Sequence, residues 1–185
     1  KMRSVSNWDS ENASYFKCSD NVLNSVWDLC KYTIKATSFC GYYIDGDRER
    51  IPYEADACIN QLSHYCVDSE YTMARRTLEY LISNPTWFTE WILHTVLMAW
   101  ADYMFTGKKD LIEKHYSDLK AKTLTSLSGK DGLISAENVT PEILDSVHCK
   151  RQFSDIVDWP PASFTENGKY GERDGYEMVP VNTAV

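Results

Sequence analysis

The sequence predicts an all-α fold, and three observations support this prediction. Apolar residues recur at helical spacing from the segment after Asp20 to Leu127. Residues that cap or stop helices mark the ends of these periodic segments. The connections between the segments alternate between long and very short, as in antiparallel helix hairpins. The chain has 185 residues, 43% of them hydrophobic and 25% charged, which is typical of one globular domain.

The first two helices follow from their caps and their apolar periodicity. Asp20 is predicted to cap a helix that ends near Lys35. Pro52 suits the first turn of a second helix, which we expect to end just before Asp68. The apolar positions of the two helices are Leu23, Val26, Trp27, Cys30 and Ile34, and then Ala55, Cys58, Ile59, Leu62 and Cys66.

Three further helices are predicted before residue 128. Asp68 is expected to cap the third helix, which should stop at Asn84-Pro85 because a proline disfavours helical backbone in the residue before it. A fourth helix should cover roughly residues 90 to 105 and stop at Gly107. A fifth is predicted from about Lys109 to Leu127.

The chain becomes irregular from Ser128 onward, where turn-forming Gly, Pro and Asp replace the helical rhythm. If the helices run alternately up and down, the long connections 36 to 51, 83 to 89 and 128 to 181 all emerge on one face. Long loops within a compact domain are usually functional. We therefore expect this face to carry the working site.

Composition excludes several classes of function. The net charge of −8 argues against nucleic acid as a partner, because phosphate binding needs clustered Lys and Arg. No stretch reaches the roughly 20 apolar residues of a membrane span. The four histidines show no metal-binding spacing, and no GxSxG or phosphate-binding loop occurs, so neither a metal nor another cofactor is predicted. The six cysteines, none at CxxC spacing, are interpreted as structural.

The densest cluster of charge runs from Asp45 to Arg50, and Glu54 and Asp56 follow closely. Hydrolysis of a glycosidic bond needs a carboxylic acid that protonates the leaving oxygen and a second carboxylate that activates water or attacks the sugar. Crowded carboxylates raise one another's pKa, which keeps one of them protonated. The alternative interpretation is a solvated, charged loop that caps a helix.

The run YIDGDRERIPYEADACINQLSHY, residues 43 to 65, resembles the active-site motif of bacterial α-L-rhamnosidases of glycoside hydrolase family 78. The resemblance continues through RRTLEYLISNPTWFTEW, MAWADYMFTG, DLKAKTL, DGLIS and VDWP. It implies an (α/α)6 toroid. Five predicted helices cannot close such a ring, so we expect residues 1 to 185 to be part of a single catalytic domain truncated at its C-terminus, with flanking β-domains in the full-length chain.

The resemblance also implies roles for individual residues. Glu49 matches the general acid, and Asp45 and Asp56 complete the predicted catalytic group. The predicted rhamnose-binding residues are Arg48, Tyr53, Trp87, Trp91, Asp158 and Trp159. Tyr53 stands where many members of the family have Trp.

The implied reaction removes a terminal α-L-rhamnose with inversion of configuration. An inverting enzyme needs a second carboxylate about 6.5 to 9.5 Å from the acid, and the resemblance places that base beyond Val185. Two alternatives stay open: specificity for another sugar, and a carbohydrate-binding domain without catalysis. A periplasmic or secreted location is implied only by the family, and free cysteines argue against an oxidising compartment.

Overall fold

The computed structural model describes residues 13–46 and 49–155, and these residues are mostly helical. The all-α prediction is confirmed to this extent. None of the helices in the described ranges is long and apolar enough to cross a membrane.

Helix α1 (Asn21–Ala36) begins where the sequence predicts. The Asp20 carboxylate accepts hydrogen bonds from the backbone N–H groups of Val22 at 2.8 Å and Leu23 at 3.4 Å, which satisfies donors that have no partner within the helix. Of its residues only Ile34 is buried. The periodicity therefore predicted the helix correctly, although most of the apolar face remains exposed.

A short hairpin follows α1 in a segment predicted as loop. Strands β1 (Ser38–Phe39) and β2 (Tyr42–Tyr43) pair antiparallel. The two turn residues, Cys40 and Gly41, have φ of 52° and 80°, as the two-residue turns of hairpins require. The hairpin places the fully buried Tyr43 directly before the predicted active-site loop.

Helices α2 (Glu54–Tyr65) and α3 (Thr72–Ser83) form the next pair. The prediction that Asp68 caps α3 is wrong. The Asp68 carboxylate accepts from the backbone N–H of Glu70 in the preceding turn, and Glu70 in turn accepts from the N–H groups of Thr72 and Met73. Glu70, one residue before the N-cap residue Tyr71, therefore provides the acceptor for the first N–H groups of α3.

Helix α4 (Thr89–Thr106) ends as predicted at Gly107, which has a φ of 69°. The predicted fifth helix is wrong in extent, because it is split into α5 (Asp110–Lys114), α6 (Tyr116–Ala121) and a 3-10 turn at Thr125–Leu127. The backbone leaves helical geometry at His115, with φ −112° and ψ 18°. Leu111 of α5 and Leu119 of α6 both pack into the core.

The segment after Ser128 is less irregular than predicted, within the part that ends at Asp155. It contains a 3-10 turn at Ala136–Asn138 and a short helix, α7 (Pro141–Ser146). The hydroxyl of Thr140 accepts from the N–H of Ile143, and Pro141 occupies the first helical position.

Two clusters of buried side chains share α4. Its middle part, with Met98 and Ala99, packs in the core between α2, α3 and α6. Its first turns, with Ile92 and Leu93, pack on the second core. The other members of that second core are Leu124, Leu127, Val147, Cys149 and Phe153. The start of α4 is thus fixed against the chain on both sides of α7.

All six cysteines lie in the described residues and are free thiols. Cys58 and Cys149 are buried, Cys18 is half-buried, and the other three are exposed. A structural packing role therefore fits Cys58 and Cys149 best.

Candidate functional site

Asp45 closes the loop that carries Glu49. Its backbone N–H donates to the carbonyl of Ile51 at 3.0 Å, and its carboxylate accepts from the N–H of Arg50 at 2.7 Å. Arg50 has a φ of 56°, a conformation that costs free energy for a residue other than glycine. The Asp45 contacts join its backbone and carboxylate to Arg50 and Ile51, and the exposed Glu49 lies within hydrogen-bond reach of Asp45.

Asp45 and Glu49 form a coupled pair of carboxyl groups. Burial, a hydrogen bond with Glu49 and the charge of Glu49 raise the pKa of Asp45 to about 6, against the opposing effect of the N–H groups of Arg50 and Ile51. Two carboxylates this close do not both ionise easily, and a proton bound by either one belongs to the pair. The pair can therefore retain a proton at a pH where an isolated carboxyl group would have lost it.

Tyr53 and Asp56 lie where this loop enters α2. Tyr53 is the residue before the first turn, and Asp56 is half-buried within that turn. The ring of Tyr53 meets the ring of Trp91 edge to face, with centroids 5.4 Å apart. Residues predicted from separate segments, 45 to 56 and 87 to 91, therefore meet at the starts of α2 and α4.

A row of aromatic rings continues from Trp91 along the loop before α4. The centroids of Trp91 and Phe88 are 4.7 Å apart, and those of Phe88 and Trp87 are 4.9 Å apart. The guanidinium of Arg151 lies over the ring of Trp87, 4.2 Å from its centroid. Sequence reasoning found Trp87, Trp91 and Tyr53 but missed Phe88 and Arg151.

Glu54 is separated from the other carboxylates of the motif, because its side chain points into the interior. It is 0% exposed and accepts hydrogen bonds from the N–H of Thr86 at 2.9 Å and from the hydroxyl of Thr86 at 2.7 Å. Burial raises the pKa of Glu54, while the Thr86 bonds and the charge of the buried Lys122 oppose that shift. Glu54 therefore ties the start of α2 to the loop before Trp87 and is not open to a ligand.

The described end of the third long connection is joined to the same loop. Ser154 donates its N–H to the carbonyl of Trp87 at 2.9 Å and accepts from the N–H of Thr89 at 3.2 Å. The hydroxyl of Thr89 donates to the carboxylate of Asp155 at 2.7 Å. The second and third of the connections predicted on one face are thus joined by backbone hydrogen bonds. Tyr53, which follows the first connection, contacts Trp91, which follows the second.

Comparison with protein families gives the identity of the domain. The family model described as the bacterial alpha-L-rhamnosidase 6 hairpin glycosidase domain matches residues 11–170. The chain belongs to this family. No curated protein and no solved structure shows a significant match. The mostly helical structure agrees with a six-hairpin glycosidase domain, and a glycosidase domain acts on carbohydrate.

Three predicted sugar-binding residues of this glycosidase domain, Arg48, Asp158 and Trp159, lie outside the described residues. Within the described ranges, no group of three or more His, Cys, Asp or Glu side chains is arranged to hold a metal ion. The carboxylate pair and the aromatic row are the parts of the candidate site that the structure describes.

Proposed function

We propose that the domain hydrolyses terminal, non-reducing α-L-rhamnosides by an inverting acid/base mechanism in which Glu49 protonates the departing glycosidic oxygen. The observation that carries this proposal is the coupling of the exposed Glu49 to Asp45, whose pKa is raised to about 6. A general acid must still hold its proton near the working pH, and a neighbouring carboxylate provides this.

The remaining residues are proposed to hold the sugar. Asp45 and Asp56 would accept hydrogen bonds from hydroxyl groups of the rhamnose, and Arg48 and Asp158 would add further polar contacts. The aromatic residues Tyr53, Trp87, Trp91 and Trp159 would form apolar walls, since aromatic rings offer large flat surfaces for the apolar face of a sugar. The contact between the rings of Tyr53 and Trp91 is evidence for this wall. Tyr53 is its member closest to Glu49 in the sequence.

The test is the release of nitrophenol from aryl glycosides of different sugars by the full-length protein, with the anomer of the released sugar followed by proton NMR. We expect hydrolysis of the α-L-rhamnoside and first formation of the β-anomer. Faster hydrolysis of another glycoside would overturn the sugar assignment, and first formation of the α-anomer would overturn inversion. Binding of rhamnose without turnover would favour a carbohydrate-binding domain.

The coupled pair predicts a specific dependence on pH. We expect kcat/KM to fall as the pH rises through about 6, because the Asp45–Glu49 pair then loses the proton that the acid must donate. Asp45→Asn should move this fall to lower pH, because Glu49 ionises more easily once the neighbouring charge is gone. The asparagine oxygen can still accept from the N–H of Arg50, so the loop should stay closed.

The measurement is the pH profile of kcat/KM for both proteins, with Asp110→Asn as a control because Asp110 is an exposed carboxylate at the start of α5. An unchanged profile in Asp45→Asn would show that the pair does not supply the catalytic proton.

A further inference from the structure

Buried polar side chains join four segments of the chain. Glu54 at the start of α2 and Lys122 directly after α6 are both 0% exposed, although charged side chains are rarely fully buried. One oxygen of Glu54 accepts from the N–H of Thr86 in the loop before α4, and the other accepts from the Thr86 hydroxyl. The ammonium of Lys122 donates to the carbonyl of Val147, the residue after α7, at 2.9 Å.

Every polar group of Thr86 is bonded in this region. Its N–H and its hydroxyl donate to Glu54, and its carbonyl accepts from the thiol of Cys149 at 3.4 Å. These contacts hold the loop that leads into α4. The residues of this buried junction are Glu54, Thr86, Lys122, Val147 and Cys149.

The two charges of the buried junction depend on each other. Burial raises the pKa of Glu54, and the bonds from Thr86 and the charge of Lys122 oppose this rise. Burial lowers the pKa of Lys122 to about 8, and the charge of Glu54 is the largest effect that opposes this fall. A buried charge without its partner is costly, so Lys122 helps to keep Glu54 as a carboxylate. In that form both oxygens accept hydrogen bonds, as the two bonds from Thr86 require.

The buried junction is next to two aromatic residues of the proposed sugar wall. Tyr53 directly precedes Glu54, and Trp91 follows Thr86 by five residues, in the first turn of α4. Their rings meet edge to face with centroids 5.4 Å apart. Both side chains are half-buried, so each keeps surface that a sugar can contact. A shift between the starts of α2 and α4 would change the arrangement of these rings.

The loop that carries the proposed acid is held by contacts of its own. The N–H of Asp45 donates to the carbonyl of Ile51 at 3.0 Å, and the Asp45 carboxylate accepts from the N–H of Arg50 at 2.7 Å. Neither bond involves the buried junction. A change in the junction should therefore alter the rings and leave the Asp45–Glu49 pair in place.

We propose that Glu54 is a positioning residue for sugar binding. Its bonds to Thr86 fix the start of α2 relative to the start of α4, and this holds the rings of Tyr53 and Trp91 in the arrangement that binds the sugar. Lys122 supports this role by providing the opposite charge. Glu54 itself contacts no substrate, because it is fully buried. This inference rests on the proposed function, in which these rings hold the sugar.

The test measures kcat and KM of the full-length protein with a nitrophenyl α-L-rhamnoside. Glu54→Ala should lower kcat/KM by about 10- to 100-fold, since a misplacement of about 1 Å can have an effect of this size. Most of this loss should be a rise in KM, because the rings bind the sugar while Glu49 keeps its position. The pH profile of kcat should therefore stay unchanged.

Thr86→Val tests the same contact without removing a buried charge. Valine has nearly the shape of threonine but lacks the hydroxyl that donates to Glu54, so KM should rise by about threefold or more as this charged hydrogen bond is lost. Thr86→Ser keeps the hydroxyl and should restore the KM of the unsubstituted protein. Thr95→Val is the matched control and should not change KM, because Thr95 is a buried threonine whose hydroxyl donates to the carbonyl of Ile92 within α4.

Labelling of Cys149 by a maleimide gives a readout that needs no substrate. The Cys149 thiol is buried and donates to the carbonyl of Thr86, so it should react when the buried junction opens locally. Thr86→Val and Glu54→Ala should each raise its labelling rate by about 10-fold or more, since a lost hydrogen bond to a charged group changes an opening equilibrium by such a factor. Cys58, which is buried in the other core, is the internal reference and should label as slowly as before. Mass spectrometry of the peptides measures both rates.

The outcomes separate this inference from the proposed function. Faster labelling of Cys149 with an unchanged KM would make the buried junction purely structural and would overturn the positioning role. Equally faster labelling of Cys58 would mean that the whole fold loosens, and a lower kcat with a shifted pH profile would mean that Glu54 acts on the acid; either result would also overturn it. If the protein hydrolyses another glycoside and no rhamnoside, and Thr86→Val raises KM for that glycoside, the positioning role stands and the sugar assignment fails.

Discussion

Glu49→Gln is expected to lower kcat by about 10² to 10⁴ for a rhamnoside whose leaving group is another sugar, because that is the usual contribution of a positioned general acid. A sugar alkoxide is a poor leaving group and needs a proton as the bond breaks. Glutamine has nearly the same shape as glutamate, so the variant removes the proton and keeps the loop. The exposed position of Glu49 argues against a loss of folding as the cause.

The size of the effect should depend on the leaving group. A nitrophenyl rhamnoside leaves as a stabilised anion, so it needs less protonation, and its kcat should fall much less in Glu49→Gln. Steady-state kinetics with both substrates give the comparison, and Glu113→Gln, an exposed glutamate on α5, serves as the control. If both substrates lost activity equally, Glu49 would bind the sugar and another group would donate the proton.

Helix α4 shows which features local sequence can predict. Its apolar periodicity identified the helix, and Gly107 identified its end because a left-handed residue there is easily supplied by glycine. The same reasoning failed at His115, where no proline or glycine marks the break between α5 and α6. Leu111 and Leu119, on either side of the break, both reach the core, so the apolar periodicity runs through the break and gives no sign of it.

In the candidate site, too, the sequence predicted some features, and only the structure revealed others. The cluster of carboxylates and its resemblance to a glycosidase motif led to the Asp45–Glu49 loop, and the family is confirmed. The sequence did not distinguish Glu54, which is buried against Thr86, from the carboxylates near the surface. Thr86 is 32 positions away, in the loop between α3 and α4. Only the packing of α2 against that loop could reveal this contact. Arg151 on Trp87 was missed for the same reason.

The largest expected effect on stability concerns Asp102, which joins three helices through one buried carboxylate. Asp102 is 1% exposed on α4. It accepts from the hydroxyl of Tyr65 on α2 at 2.9 Å, and from the guanidinium of Arg75 on α3 at 2.9 and 2.8 Å. These bonds fix the relative positions of α2, α3 and α4, and α2 and α4 carry the candidate site at their first turns.

Asp102→Ala should lower the free energy of unfolding by about 3 to 5 kcal/mol, the usual cost of removing one member of a buried ion pair. The loss includes the cost of leaving the Tyr65 hydroxyl without its acceptor and the Arg75 charge without its buried partner. Urea unfolding followed by tryptophan fluorescence measures the change from the shift in midpoint at constant slope.

Arg75 provides its own control, because it also pairs with Asp110 at 3.3 Å. The side chain of Asp110 is 65% exposed, whereas that of Asp102 is 2% exposed. Asp110→Ala should therefore cost at most about 1 kcal/mol, since solvent screens an exposed ion pair. Equal losses in the two variants would mean that the charge of Arg75 sets the stability of this helix junction. The expected difference would instead show that the burial of Asp102, together with the Tyr65 bond, holds the two site-bearing helices in place.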